Sequence, residues 1–182
     1  DRPPKHLETT AMTITEREAC LQLWMRDHAA ILYRVAAGFA AGADRGDLMQ
    51  ELLIALWKAI PAFRGDAQPA TFVYRVSHNA AMAWKRSARR HERALVDPET
   101  LGRMAAPAGP DDAQRELLEG VYARIRELPE LDRSLVLLSL DGLSYREMAA
   151  IHGLSESNVG ARLSRSKARL VQQLKELTNE PR

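Results

Sequence analysis

Apolar positions recur every three or four residues along most of this chain, which is the spacing of helices that bury one face. The first such segment is predicted to run from Thr15 to about Phe39, because Thr15 and Glu18 have the spacing of a capping box. Alternating apolar and polar runs, which mark half-buried strands, are absent from the sequence. The pattern therefore predicts an all-α protein.

Residues 94–112 interrupt the helical pattern. They contain three prolines, two glycines and four acidic residues against one arginine, which is a composition typical of a flexible linker. The chain is accordingly predicted to form two small helical domains joined by a flexible linker. The expected divisions are a loose arm at 1–14, a domain at 15–93, the linker, a second domain at 113–177 and a tail at 178–182.

Composition narrows the class of protein. The 182 residues are 46% apolar and 27% charged, with a formal net charge of +2, as in an ordinary folded protein. The single cysteine, Cys20, excludes an intramolecular disulfide and a cysteine-rich metal site. No apolar run reaches the roughly 18 residues of a membrane helix, and residues 1–10 lack the apolar core of a signal peptide. We therefore expect a cytoplasmic protein.

The sequence offers little support for catalysis. Its five histidines have no metal-binding spacing, and neither a glycine-rich phosphate loop nor a nucleophile elbow is present. We expect neither an enzyme nor a bound metal or cofactor.

The segment 143–170 has the pattern of a helix-turn-helix, whose second helix enters the major groove of DNA. Ser144 and Glu147 have capping-box spacing, Gly153 is placed for a left-handed turn, and Ser155 can cap the second helix. One face of that helix carries a row of cations, Arg162, Arg165 and Arg169. The alternative is a helical hairpin with a solvated basic face.

Two further clusters allow both a structural and a functional interpretation. The helix that ends near residue 90 has a basic end, which consists of Lys85, Arg86, Arg89, Arg90 and Arg93. These cations could neutralise phosphates, or they could offset the helix dipole. Rings beside cations can hold unstacked bases, but Trp24, Trp57 and Phe72 are expected to pack in the core.

The second cluster is acidic and consists of Asp44, Asp47 and Glu51. These carboxylates could cap a helix or dock a basic partner, to which Gln50 would add a directional hydrogen bond.

Several short motifs in both predicted domains resemble one family. They are Asp47–Glu51, Leu56–Trp57, Phe63–Gly65 and Phe72–Asn79 in the first domain, and Leu128–Pro129, Leu143–Ala149, and Asn158–Val159 with Arg162–Leu163 and Arg165 in the second. In this order, and separated by a short acidic linker, they resemble the extracytoplasmic-function group of bacterial RNA polymerase sigma factors, which contain regions two and four. The resemblance covers about 24–90 and 113–174.

The resemblance implies a role for each domain. Region two is implied to dock on the clamp helices of the largest polymerase subunit through Asp47, Gln50 and Glu51. It is also implied to melt the promoter −10 element and hold a flipped base, using Phe63, Arg64, Asp66, Gln68, Asn79, Lys85, Arg86, Arg89 and Arg90. Region four is implied to read the −35 element as duplex through Ser157, Asn158, Ala161, Arg162, Ser164, Arg165, Lys167 and Arg169. Among these, Arg165 is the candidate for a guanine edge.

The family resemblance also implies regulation by an anti-sigma factor. One alternative is a sigma mimic, an adaptor that binds an anti-sigma factor without binding DNA, but this chain keeps the basic residues at 85–93 and 162–169. A second alternative is a regulator that uses only the helix-turn-helix, which leaves the acidic helix and aromatic loop unexplained. Gly160 and Ala161 depart from the family pattern, since neither offers a polar side chain to a base.

Overall fold

The computed structural model describes residues 12–65, 68–91 and 112–179, and within them the backbone is helical without strands. The all-α prediction is confirmed for these ranges. Their α-helices are α1 (Ile14–Phe39), α2 (Asp44–Ala59), α3 (Pro69–His91), α4 (Asp112–Arg126), α5 (Glu130–Leu140), α6 (Tyr145–His152) and α7 (Glu156–Asn179). Most of the predicted arm and linker, the end of the predicted tail, and Asp66 lie outside the described residues.

The N-cap of α1 lies two residues earlier than the sequence pattern predicted. The capping box is made by Thr13 and Glu16, because the Glu16 amide donates to Thr13 Oγ1 and the Thr13 amide donates to the Glu16 carboxylate. The prediction of Thr15 and Glu18 was therefore wrong. Both pairs have the same spacing, so the motif alone could not choose between them.

The helix-turn-helix geometry agrees with its predicted signals. Ser144 and Glu147 form a reciprocal capping box at the start of α6. Gly153 ends that helix with φ of 66°, in the left-handed region that favours glycine. The hydroxyl of Ser155 then accepts from the Asn158 amide at 3.3 Å, which caps α7. These local bonds fix the turn between α6 and α7.

The helices form two bundles. In the N-terminal bundle, α1, α2 and α3 pack on one another around buried residues such as Leu32, Leu52 and Val73. In the C-terminal bundle, α4 to α7 enclose a core that includes Leu135 and Leu163. Within the described ranges, no helix combines the length and the hydropathy needed to span a bilayer.

The two bundles pack tightly against each other. Helix α1 contacts α4 and α5, helix α3 contacts α5 and α6, and the buried apolar residues form a continuous cluster. Among the glycines of the described ranges, Gly38 makes the closest approach to a neighbouring side chain, since a Cβ atom there would lie 2.6 Å from Cδ1 of Leu137. No sequence pattern indicated this contact between the bundles. The linker composition predicted that the linker is flexible, but it did not predict how the two domains pack.

Candidate nucleic-acid interface

Helix α7 presents a small, polar face to solvent. Its buried side is formed by Val159, Leu163 and Ser166, which pack toward the rest of the C-terminal bundle. The opposite side is exposed and carries Ser157, Asn158, Ala161, Ser164 and Arg165. Apart from Arg165 these side chains are short, so a nucleic-acid groove could approach the helix backbone closely.

The row of arginines predicted for α7 is divided in the folded protein. Arg162 is partly buried, and its Nη1 donates to Asp132 Oδ1 of α5 at 2.7 Å, so it ties α7 to its own bundle. Arg165, Lys167 and Arg169 remain exposed. Of the predicted cations, Arg165 is the one that flanks the short polar side chains.

Gly160 has a packing role that the sequence did not reveal. A Cβ atom at this position would lie 3.2 Å from Cε2 of Tyr145, so the glycine makes room for the aromatic ring at the start of α6. The helix-propensity cost of a glycine is therefore offset by close packing of α6 on α7.

Helix α3 carries a second exposed polar stripe. Gln68, just before the helix, and Arg75, Asn79 and Arg86 on it are all exposed. Their spacing is close to whole turns of 3.6 residues, which places them along one line of the helix. Arg75 was not predicted as a site residue, although its spacing from Gln68 and Asn79 was a usable signal. The guanidinium of Arg75 lies 5.3 Å from the centre of the Phe72 ring, and this cation–π contact helps to hold the Arg75 side chain in place.

The loop before α3 is anchored by an aromatic cluster. The ring of Phe63 packs edge-on against Trp24 at 5.2 Å and against Phe72 at 5.0 Å between ring centres. Trp24 and Phe72 are buried, as predicted, whereas Trp57 is only half-buried. Phe63 therefore holds the loop to the bundle, and the adjacent Arg64 is exposed.

The basic end predicted for α3 is only partly free for a ligand. Lys85 is half-buried, and Nη1 of Arg86 lies 3.8 Å from a carboxylate oxygen of Glu130 on α5. Arg89 and Arg90 lie within α3, but their side chains are outside the described set. Among the described cations of this helix, Arg75 and Arg86 are therefore the exposed ones.

Helix α2 presents an acidic face with an apolar neighbour. Asp47, Gln50 and Glu51 are all exposed on it, and Ile54 continues the same face at 43% exposure. Glu51 and Ile54 border a groove of about 630 Å³ between α2 and α3, whose other wall includes Trp84. Ile54 was not singled out from the sequence, because a lone apolar residue is ordinary on a helix surface.

Charged side chains also join the two bundles where α2 meets α4. Glu119 of α4 accepts from Arg45 of α2 and from Arg126, each at 2.7 Å. Burial raises the pKa of Glu119, but these two hydrogen bonds outweigh it and lower the pKa below its ordinary value. Arg126 also donates to the Ala37 carbonyl at 2.7 Å, and so satisfies the end of α1, whose last turn has no basic residue of its own.

Another such junction lies at the end of α5. The carboxylate of Asp141 pairs with Arg34 of α1 and hydrogen-bonds Tyr74 of α3. Burial raises the pKa of Asp141 despite the neighbouring guanidinium. None of these bridging residues was predicted to matter, since the sequence does not show which surfaces of two domains meet.

Two family models match separate parts of the chain. Residues 24–91 match sigma-70 region 2, and residues 118–170 match sigma-70 region 4. These matches cover the exposed faces of α2, α3 and α7 described above.

Curated relatives span most of the chain. The ECF RNA polymerase sigma-E factor of Escherichia coli is 32% identical over 139 residues, covering 71% of this chain and 73% of the relative. The ECF RNA polymerase sigma factor SigM of Mycobacterium tuberculosis is 26% identical over 160 residues, covering 87% of this chain and 79% of the relative.

Two solved structures share the fold at low sequence identity. The sigma factor RpoE in complex with the anti-sigma factor NepR from Bartonella quintana has a TM-score of 0.63 at 22% identity, covering 89% of this chain and 98% of that one. CnrH in complex with the cytosolic domain of CnrY also has a TM-score of 0.63 at 22% identity, covering 87% and 90%. With the fold shared in this way, the region 2 and region 4 matches and the sigma-E relative show that this chain belongs to the ECF family of RNA polymerase sigma factors.

Proposed function

We propose that this chain is a dissociable sigma subunit that binds core RNA polymerase and directs initiation at promoters with a −35 and a −10 element. The observation that carries this proposal is the presence of separate exposed faces of different chemistry on α2, α3 and α7. One is acidic, one mixes amides with cations, and one is short and polar with a single flanking arginine. A protein that bound only duplex DNA would have no use for the first two.

Helix α7 would read the −35 element in the major groove. Ser157, Asn158 and Ser164 can exchange hydrogen bonds with base edges, and Ala161 can contact a thymine methyl group. Arg165 would form the bidentate contact to a guanine. Lys167 and Arg169 would bind backbone phosphates, which adds affinity without sequence preference.

Helix α3 would hold the −10 element as a separated strand. Arg75 and Arg86 would follow the phosphates, while Gln68 and Asn79 on the same stripe offer amides to the edges of bases. A base flipped toward the 63–69 loop would be read there. The few kcal/mol lost on unstacking would be offset by the contacts that the flipped base makes with the protein.

The acidic face of α2 would dock on a basic helical surface of the polymerase. Asp47 and Glu51 supply charge, Gln50 supplies a directional hydrogen bond, and Ile54 supplies an apolar anchor. Such a combination of a buried anchor and a polar rim is typical of specific protein interfaces.

Binding both promoter elements at once requires the two bundles to separate. Elements about 25 base pairs apart are separated by about 85 Å of B-form DNA at about 3.4 Å per pair. A compact chain of this length has a radius of gyration of roughly 16 Å. The closed arrangement is therefore a storage form, which an anti-sigma factor could hold and core polymerase could open.

Run-off transcription tests the proposal. The purified chain is added to core polymerase with a library of promoters, and the transcripts are sequenced. We expect transcripts that start from a subset of templates sharing two motifs, and we expect them to disappear when Asp47 and Gln50 are both replaced by alanine. The same double variant is expected to leave duplex binding by α7 intact, because α2 and α7 are in different bundles.

The sigma-mimic alternative predicts a different result. Tight binding to an anti-sigma factor together with no transcript from any template would favour the mimic and reject the proposal.

A further inference from the structure

A buried chain of hydrogen bonds crosses between the two bundles. The hydroxyl of Ser134, on α5, lies 2.5 Å from Nδ1 of His78 on α3 and 2.8 Å from Nε2 of His152 on α6. The serine thus joins an imidazole of the N-terminal bundle to an imidazole of the helix-turn-helix. His78 and Ser134 are both 0% exposed.

These hydrogen bonds leave no acceptor for an added proton. When the Ser134 hydroxyl donates to one imidazole and accepts from the other, the first bonded nitrogen is unprotonated and the second carries a hydrogen. The other nitrogen of His78, Nε2, is buried and has no hydrogen-bond partner within the part of the chain that the structure describes. The arrangement is satisfied best when His78 donates through Nδ1 and leaves Nε2 as an unprotonated acceptor.

A proton added at either histidine disrupts this arrangement. On His78 it places an N–H group at the buried Nε2, which none of the described residues accepts from. On His152 it makes Nε2 a donor to Ser134, so the serine hydroxyl hydrogen either loses its acceptor or turns to His78 Nδ1, which moves the hydrogen of His78 to the buried Nε2. Both cases leave an unsatisfied buried donor at the contact between the bundles.

We propose that His78, Ser134 and His152 form a proton-sensitive latch, which holds the two bundles together when both imidazoles are neutral and releases them on protonation. The latch goes beyond the proposed role in promoter recognition, since it controls whether α3 and α7 can move apart. It can be tested without polymerase or DNA.

The surroundings of the latch favour neutral imidazoles. The neighbouring titratable and charged groups are Tyr74 on α3, Arg34 on α1, Arg133 and Asp141 on α5, and His152 itself on α6. Arg34 is paired with Asp141. Arg133 lies over the ring of Phe39, which itself packs edge-on against His78. The second imidazole adds repulsion as soon as either ring is charged.

Burial, reinforced by His152, lowers the pKa of His78 to about 3, and burial also lowers the pKa of His152. In an open molecule, each of the two imidazoles would have a pKa of about 6.5. The latch therefore contributes fully above about pH 6.5 and weakens as the pH falls below it. Between about pH 8 and about pH 5, His78 alone reduces the ratio of closed to open molecules by about 30-fold.

Asp141 acts in the opposite direction. Burial raises its pKa, so its protonation favours the closed form. Any opening seen in mild acid is therefore not caused by this carboxylate.

Small-angle X-ray scattering and circular dichroism of the full chain, measured from about pH 8 to about pH 5, test the latch. We expect a compact molecule at the upper end and an increase in radius of gyration below about pH 6.5, with helix content unchanged. The variant His78→Asn with His152→Gln keeps a polar atom near each bonded nitrogen but cannot titrate, and we expect it to stay compact throughout. The control His28→Gln, on α1, should keep the wild-type response.

Several results would overturn the latch. The latch is wrong if the wild-type protein is already open at about pH 8, or if it stays compact down to about pH 5. It is also wrong if the double variant opens as much as the wild type, or if the wild type expands only while it loses helix content. If the double variant does not fold, the wild-type profile still decides between opening and no change.

Discussion

Gly38 shows how one residue controls the contact between the bundles. It lies near the end of α1, and a Cβ atom there would overlap Leu137, which is 1% exposed. Moving the Leu137 side chain away would therefore cost free energy, because protein interiors are close-packed. The sequence could predict that Gly38 lies near a helix end, but not that it closely approaches another helix.

We predict that Gly38→Ala destabilises the closed protein by about 1–3 kcal/mol through overpacking. This loss exceeds the gain of up to about 1 kcal/mol in helix propensity that alanine brings. Urea denaturation followed by circular dichroism measures the change.

Gly46 is the matched control for this prediction. It lies within α2 and is exposed, and a Cβ atom added there would have no neighbouring atom within 4 Å. Gly46→Ala is expected to stabilise the protein by up to about 1 kcal/mol. If both substitutions stabilised the protein equally, the tight contact between Gly38 and Leu137 would be wrong.

Arg133 is a second residue whose importance was hidden in the sequence. It is 2% exposed, and its guanidinium donates to the carbonyls of Arg126 and Leu128 at the end of α4 while lying over the ring of Phe39. It therefore satisfies helix-end carbonyls of one bundle and contacts an aromatic ring of the other. An arginine in an amphipathic helix is usually exposed, so the sequence pattern offered no reason to place this one inside.

Among the elements, α6 and α7 were the most predictable from sequence. Their first turns are capped by hydroxyls three residues before the amides that they accept from, Ser144 for the Glu147 amide and Ser155 for the Asn158 amide. Such short-range signals are visible in the chain itself. The face of α7 was predicted less well, because the pairing of Arg162 with Asp132 of α5 depends on how the two helices pack.

For α7, we predict that Arg165→Ala relaxes the −35 sequence preference and costs about 1–3 kcal/mol in binding to the preferred site. Lys167→Ala, the matched control, is expected to weaken binding to all sequences alike and to reduce the salt dependence by about one phosphate contact. Binding to a panel of −35 variants at two salt concentrations measures both effects. An unchanged preference in the Arg165 variant would exclude this arginine from base reading.

For α3, we predict that Arg75→Ala reduces open-complex formation while leaving −35 duplex binding unchanged. The reason is that Arg75 lies between Gln68 and Asn79 on the exposed stripe, far along the chain from α7. Permanganate reactivity of unpaired thymines in the polymerase–promoter complex measures the opening. Full reactivity with the variant would place the separated strand elsewhere.

At the scale of the whole molecule, the two bundles are held against each other by contacts between elements that are distant in sequence. Arg126 with Ala37, Arg34 with Asp141, and Ser134 with His78 all join residues more than fifty positions apart. Sequence patterns of period 3.6 report which face of a helix is buried, but not which other helix covers it. The helices and the family were therefore predictable, whereas the closed arrangement and its polar contacts were not.

If the proposed function is right, storage and use of the protein involve different arrangements of the same bundles. The contacts that join the bundles include several polar ones and one at the limit of close packing. The exposed faces of α2, α3 and α7 need not change shape for the molecule to open. Only their separation has to change.

Crosslink mapping in the polymerase–promoter complex tests the central claim most directly. A photoreactive side chain is placed at position 79 on α3 or at position 164 on α7, and the crosslinked nucleotides are identified. We predict crosslinks at the −10 element from position 79 and at the −35 element from position 164, about 25 base pairs or about 85 Å apart on the same promoter. Crosslinks from both positions to one site, or from position 164 alone, would contradict it.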